Sequence, residues 1–153
     1  MARKHKKLQI SIVDGSKPDP STKLLAVRID RIAGSMGAVL ICGGLAGVLE
    51  TAARGAKEKG GLTIGLLPSY KKQSANPFID IVLPTGLGHA RNILVAAAGD
   101  ILIALPGSHG TRSEISSALL LGKSVLGYRS WGEIPQVVKI NSLKELKSRL
   151  HNI

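Results

Sequence analysis

Short apolar runs, each followed by a glycine-bearing loop and then by a segment of helical periodicity, constrain this chain more than any other feature. Leu8–Val13 alternates and then turns fully apolar, while Ala38–Cys42, Leu62–Pro68 and Asp100–Leu105 are almost unbroken. A strand that is apolar on both faces belongs in a sheet covered on both sides, because a half-solvated strand alternates instead. Further strands are expected at Ile79–Pro84, Lys123–Tyr128 and Val137–Ile140. Between them, helical spacing runs from an N-cap at Ser21 to about Ala33, then over Val48–Lys59, Arg91–Ala98 and Ile115–Leu121. A last helix, Leu143–Leu150, follows Ser142 with Glu145 three residues on, the spacing of a capping box. Strands alternating with helices predict an α/β domain, a mostly parallel sheet of six to seven strands with helices on both faces. It spans residues 8–153, after a basic disordered arm at 1–7.

In such a sheet ligands bind outside the carboxyl ends of the strands. Four strand-to-helix loops converge there. The richest is Pro106-Gly107-Ser108-His109-Gly110-Thr111-Arg112-Ser113-Glu114. A strand, a glycine turn and a helix place backbone N–H groups and a helix N-terminus around an anion. Gly107 and Gly110 allow close approach of a phosphate, Ser108 and Thr111 add hydroxyls, and Glu114 is expected to point back from the first helical turn. Gly43, Gly44 and Gly47 form a second glycine turn, after Ala38–Cys42. Ser16 follows the first strand. Gly88 precedes Arg91, whose guanidinium suits bidentate recognition of phosphate or carboxylate. The carboxylate of Glu114 beside a phosphate site either faces the positive helix end, holds a ribose hydroxyl, or takes part in chemistry.

Composition narrows the classes. The net charge is +11, but four of the 21 basic residues lie within Arg3–Lys7, and the rest are scattered. With only Tyr70, Phe78, Tyr128 and Trp131 as aromatics, the chain lacks the stacking platforms of single-strand nucleic-acid binders, so nucleic acid is not the expected partner. The single cysteine, Cys42, excludes an internal disulfide and fits a reducing compartment. No run reaches the roughly 18 apolar residues of a membrane span, and a cytoplasmic setting is expected. No metal-ligand cluster stands out. The Arg91–Ala98 helix is apolar nearly all round, which places it in the core or in a subunit interface.

The Pro106–Glu114 stretch resembles the P-G-G-x-G-T-x-x-E signature of the lysine-decarboxylase-like, or Lonely Guy, superfamily. Gly43-Gly44 with Gly47, and Gly86-Leu87-Gly88-His89-Ala90-Arg91-Asn92, match further positions of that pattern. The likeness covers about residues 8–140 and is nearer to the short branch that includes a molybdenum-cofactor carrier protein. It implies a Rossmann-like homodimer or higher oligomer that binds a nucleotide-type phosphate. It also implies hydrolysis of the N-glycosidic bond of a nucleoside 5′-monophosphate with no required cofactor, Arg91 and Glu114 forming the catalytic pair. Lysine decarboxylation is not implied. The enzymes carry Glu-Arg-Lys where this chain has Ala90-Arg91-Asn92, and Ser108 replaces a glycine. These departures favour the alternative, a non-catalytic carrier or sensor of a phosphate-bearing cofactor such as a molybdopterin.

Overall fold

The computed structural model describes residues 6–15 and 19–153. Seven strands, β1 (Gln9–Val13), β2 (Val39–Cys42), β3 (Leu62–Leu67), β4 (Ile81–Pro84), β5 (Ile101–Ala104), β6 (Ser124–Tyr128) and β7 (Val137–Ile140), form one sheet in the order β4-β3-β2-β1-β5-β6-β7. Every adjacent pair is parallel. Among the described residues, five α-helices flank it: α1 (Pro20–Ser35), α2 (Val48–Glu58), α3 (Asn92–Ala98), α4 (His109–Leu120) and, after the last strand, α5 (Leu143–His151). This is the Rossmann-like α/β architecture expected.

Alternation along each strand divides the core into two layers. Ile10 and Ile12 of β1, with Leu40, Ile101 and Ile103, pack under α1, α2 and α5 through Ile29, Ala52, Ala56 and Leu146. Val13, Ile41, Leu102 and Ala104 face the other way and pack under α3 and α4 through Val95, Ala96, Ile115 and Ala118. Ser11, a hydroxyl inside a buried strand, is satisfied by donating 2.6 Å to the Val95 carbonyl near the end of α3. Among the described residues, no helix is long and apolar enough to cross a membrane.

The boundaries depart from expectation where local polar chemistry overrides periodicity. The N-cap of α1 is Asp19 rather than Ser21. Its carboxylate accepts from the Thr22 backbone N–H at 2.8 Å, with Pro20 at the first helical position. β4 starts at Ile81, because Asn76 turns the preceding chain by accepting from the Phe78 N–H at 3.0 Å. Arg91 ends a short 3₁₀ turn, Gly88–Arg91, and the α-helix begins at Asn92. α3 does not lie within the core of the chain: Val95 and Ala96 are buried, but Ile93 and Leu94 are 50% and 39% exposed.

Candidate functional site

The chain leaves β1 toward α1 on one face and leaves neighbouring β5 toward α4 on the other. Their diverging loops open the crevice where sheets of this kind hold ligands. The two loops touch at its base. The Gly15 N–H donates to the Pro106 carbonyl at 3.3 Å, and a Cβ on Gly15 would lie 2.8 Å from the Gly107 Cα, so only glycine permits this closure.

A cavity of about 240 Å³ opens on the α3/α4 side. Asp14 reaches it from the end of β1, Gly43 from the end of β2, and His89, Arg91 and Asn92 from the turn before α3. Ser108, Gly110 and Glu114 complete the opposite wall. Arg91 is the fixed cation here. Its guanidinium donates to the Leu66 carbonyl at 2.8 Å and lies directly against Gly43, where any Cβ would collide with both amino nitrogens. Its Nε is buried without a partner. Burial lowers the Arg91 pKa and nearby Glu114 raises it again, but a guanidinium remains cationic near neutral pH.

The acids behave differently. Glu114 is 8% exposed, and burial pushes its carboxyl up to about 8. Arg91 opposes that rise and Asp14 adds to it. No Arg91–Glu114 ion pair occurs among those of the described residues. Burial also raises Asp14 to about 7, and its Oδ2 has no hydrogen-bond partner. Beneath them, Asp30 of α1 is fully buried with both oxygens unpartnered, and burial followed by the neighbouring Asp14 drives its pKa well up. Burial likewise lifts the Cys42 thiol to about 12, so it is no nucleophile near neutral pH. The result is a cavity with one permanent positive charge, a Glu114 carboxyl that is mostly protonated near pH 7 and an Asp14 carboxyl that is about half protonated there. Such a site accepts an anion without the repulsion that two carboxylates would impose.

Of the residues singled out from sequence, Arg91, Glu114, Gly43, Ser108 and Gly110 are brought together around the cavity. Thr111 and Gly107 lie beside it, tucked against each other, with Thr111 buried and its Oγ1 unpartnered. Gly44, Gly47 and Gly88 are not among the lining residues. Gly44 instead packs on β3, where its Cβ would meet the Gly65 Cα at 3.0 Å. Ser16 falls outside the described residues. Glu114 is the sixth residue of α4, in the second turn rather than the first, because the helix already starts at His109. Asp14, Leu49, His89 and Asn92 also line the cavity, beyond the residues expected from sequence. Asp14 had a weak signal, an acid immediately after a buried strand on the ligand edge.

Comparisons with known proteins agree with the fold. An uncharacterized protein of Archaeoglobus fulgidus is 44% identical over 120 residues, 78% of this chain and 79% of that one. The molybdenum cofactor binding protein of the phototrophic bacterium Rippkaea orientalis superposes with a TM-score of 0.90 at 30% identity, covering 97% of this chain and 98% of that one. The molybdenum cofactor carrier protein of Chlamydomonas reinhardtii gives 0.87 at 26% identity over 96% and 98%. The family model for the SLOG cluster4 family matches residues 7–152, and the chain belongs to that family.

Proposed function

We propose that this protein binds and carries a phosphate-bearing small molecule of the molybdopterin type, held in the cavity between the β1 and β5 loops. The observation that carries this reading is the pairing of one fixed cation, Arg91, with the buried carboxyls of Asp14 and Glu114, whose raised pKa values keep much of their negative charge out of the cavity near pH 7. A phosphate meets the guanidinium and the first-turn N–H groups of α4, a 12-residue helix whose N-cap, Ser108, makes no side-chain capping bond. Protonated Asp14 and Glu114 supply O–H donors to an anion or to the heteroatoms of a flat ring. The names of the Rippkaea and Chlamydomonas proteins support a molybdenum cofactor as the cargo.

The same electrostatics disfavour nucleoside monophosphate hydrolysis. Departure of the base leaves an oxocarbenium-like ribose, which a negative carboxylate stabilises. Glu114 is mostly without that charge at pH 7 and is not ion-paired to Arg91. Incubation with adenosine and other nucleoside 5′-monophosphates is expected to release no free base at pH 7, while mass spectrometry of the purified protein or titration with molybdopterin detects a bound cofactor. Release of base that disappears in Glu114→Ala would establish the hydrolase instead.

Self-association belongs to this proposal. Ile93 and Leu94 on α3, Leu120 at the end of α4 and Leu121 just after it are exposed, Leu120 by 88%, and both helices cover the same face of the sheet. Light scattering is expected to give a multiple of the 16.0 kDa chain mass, and Leu94→Glu with Leu120→Glu should shift it toward the monomer. A monomeric parent protein at micromolar concentration contradicts this.

A further inference from the structure

A second cavity, of about 290 Å³, lies on the other side of the sheet, between the first turns of α1 and the ends of β5 and β6. No residue lines both cavities; Pro106 lines this one and Ser108 the first, with Gly107 between them in the chain. Arg28 and Arg129 border this second space, while Leu25, Leu143 and Tyr128 provide its apolar wall. Leu24, at the rim, is 54% exposed.

The charged residues of its lining, Arg28 and Arg129, are both cations. Neither Arg28 nor Arg129 is among the ion-paired arginines of the described residues. Arg129 spends its Nε–H on the Asn141 carbonyl at 3.3 Å, which leaves both amino groups for a ligand. The acid adjoining the wall, Asp19, stays ionised, but its carboxylate is turned to the α1 cap, accepting from the Thr22 N–H at 2.8 Å and the Thr22 hydroxyl at 3.0 Å. The backbone is informative too. Arg129 has φ of 52°, a left-handed conformation that is unfavourable for a residue with a Cβ and that recurs at ligand clamps. It holds the guanidinium 5.6 Å from the centre of the Tyr128 ring. The volume is at the lower edge of small-molecule pockets, which run from about 300 Å³ upward.

We propose that this cavity is a second ligand site, for a small aromatic anion whose phosphate or carboxylate is gripped by Arg28 and Arg129 and whose ring lies against Leu25 and Leu143. The site is independent of the cargo cavity and does not need the carrier reading to hold.

Phenyl phosphate and benzoate separate the two anion chemistries. In NMR titrations of the full chain, at least one of them is expected to shift the methyl signals of Leu24 and Leu25 and the Nε–H of Arg129 saturably, with a Kd of about 1 mM or tighter. Arg28→Gln with Arg129→Gln should weaken that binding at least about tenfold, a loss of about 1.4 kcal/mol. Arg28 is exposed, so Arg28→Glu leaves the core intact and should weaken it by at least as much, even if the double variant folds poorly. Saturable shifts of phenyl phosphate alone assign the site to phosphates, and of benzoate alone to carboxylates. The proposal is overturned if neither probe gives saturable shifts at Leu24 and Leu25, if shifts occur only at Ser108 and Gly110, or if Arg28→Glu binds as the parent does.

Discussion

Stability against heat is expected to peak on the acid side of neutrality, near pH 4 to 5, and to fall as the pH rises toward 8. Asp14, Glu114 and Asp30 all have folded pKa values above their unfolded ones, so the folded state holds protons that the unfolded chain has already released. Their penalty is absent below about pH 4. It grows through the window from about 4 to 7 for Asp14 and to about 8 for Glu114. Each group lowers stability by at most about 1.4 kcal/mol per pH unit within its window. Asp19, Glu58 and Asp80 have lowered pKa values and act in the opposite direction, their contribution being lost as the pH falls through the acid range. Asp30→Asn removes the most deeply buried of the ionisable carboxyls without changing its shape. At pH 8 it should raise the melting temperature by several degrees, since 1 kcal/mol corresponds to roughly 2–4 °C in a domain of this size. At pH 4.5, close to the unfolded pKa, the gain should be much smaller. Calorimetric scans of both proteins across this range check it, and an equal shift at both pH values contradicts the assignment.

Gly43→Ala is expected to cost the proposed ligand site at least about tenfold in affinity, about 1.4 kcal/mol, with little loss of fold. The glycine is buried at the end of β2, and the space its Cβ would need is taken by the Arg91 guanidinium. Arg91 must then leave the Leu66 carbonyl and the ligand position together. Arg91→Ala should lose comparable affinity, and the double variant should lose no more than the worse single one, because both act through the same guanidinium. Binding isotherms with molybdopterin for the three variants test this, and additive losses would show that Gly43 acts by another route.

Most of the scaffold was legible because burial writes itself into sequence. Unbroken apolar runs such as Ala38–Cys42 and Asp100–Leu105 need two covered faces, and that requirement selects a parallel sheet. Arg91, Gly43 and Glu114 were legible as well, since they sit in strand-to-helix loops that the topology gathers at one edge. The start of α4 was not. His109, Gly110 and Thr111 are poor helix formers, and the buried Thr111 packed against Gly107 fixes them in the first turn regardless. That shift moved Glu114 one turn along the helix and into the wall of the cavity. Asp30 was hidden for a different reason: an acid among Val27, Ile29 and Ile32 reads as one polar position of an amphipathic helix, and only the packing of α1 on the sheet shows it fully enclosed. Asp14 signals little by itself, because its role depends on Asp30 and Glu114, which are distant in sequence.

The central claim, an anion site built from one fixed cation and neutral carboxyls, is tested most directly by calorimetric titration with molybdopterin at pH 6.5 and 8.5 in buffers of different ionisation enthalpy. The account predicts tight binding at pH 6.5, weaker binding at pH 8.5, and net proton uptake on binding at the higher pH as Asp14 and Glu114 are driven back to their neutral forms. Affinity that is equal at both pH values with no proton uptake, or an absence of binding at pH 6.5, would contradict it.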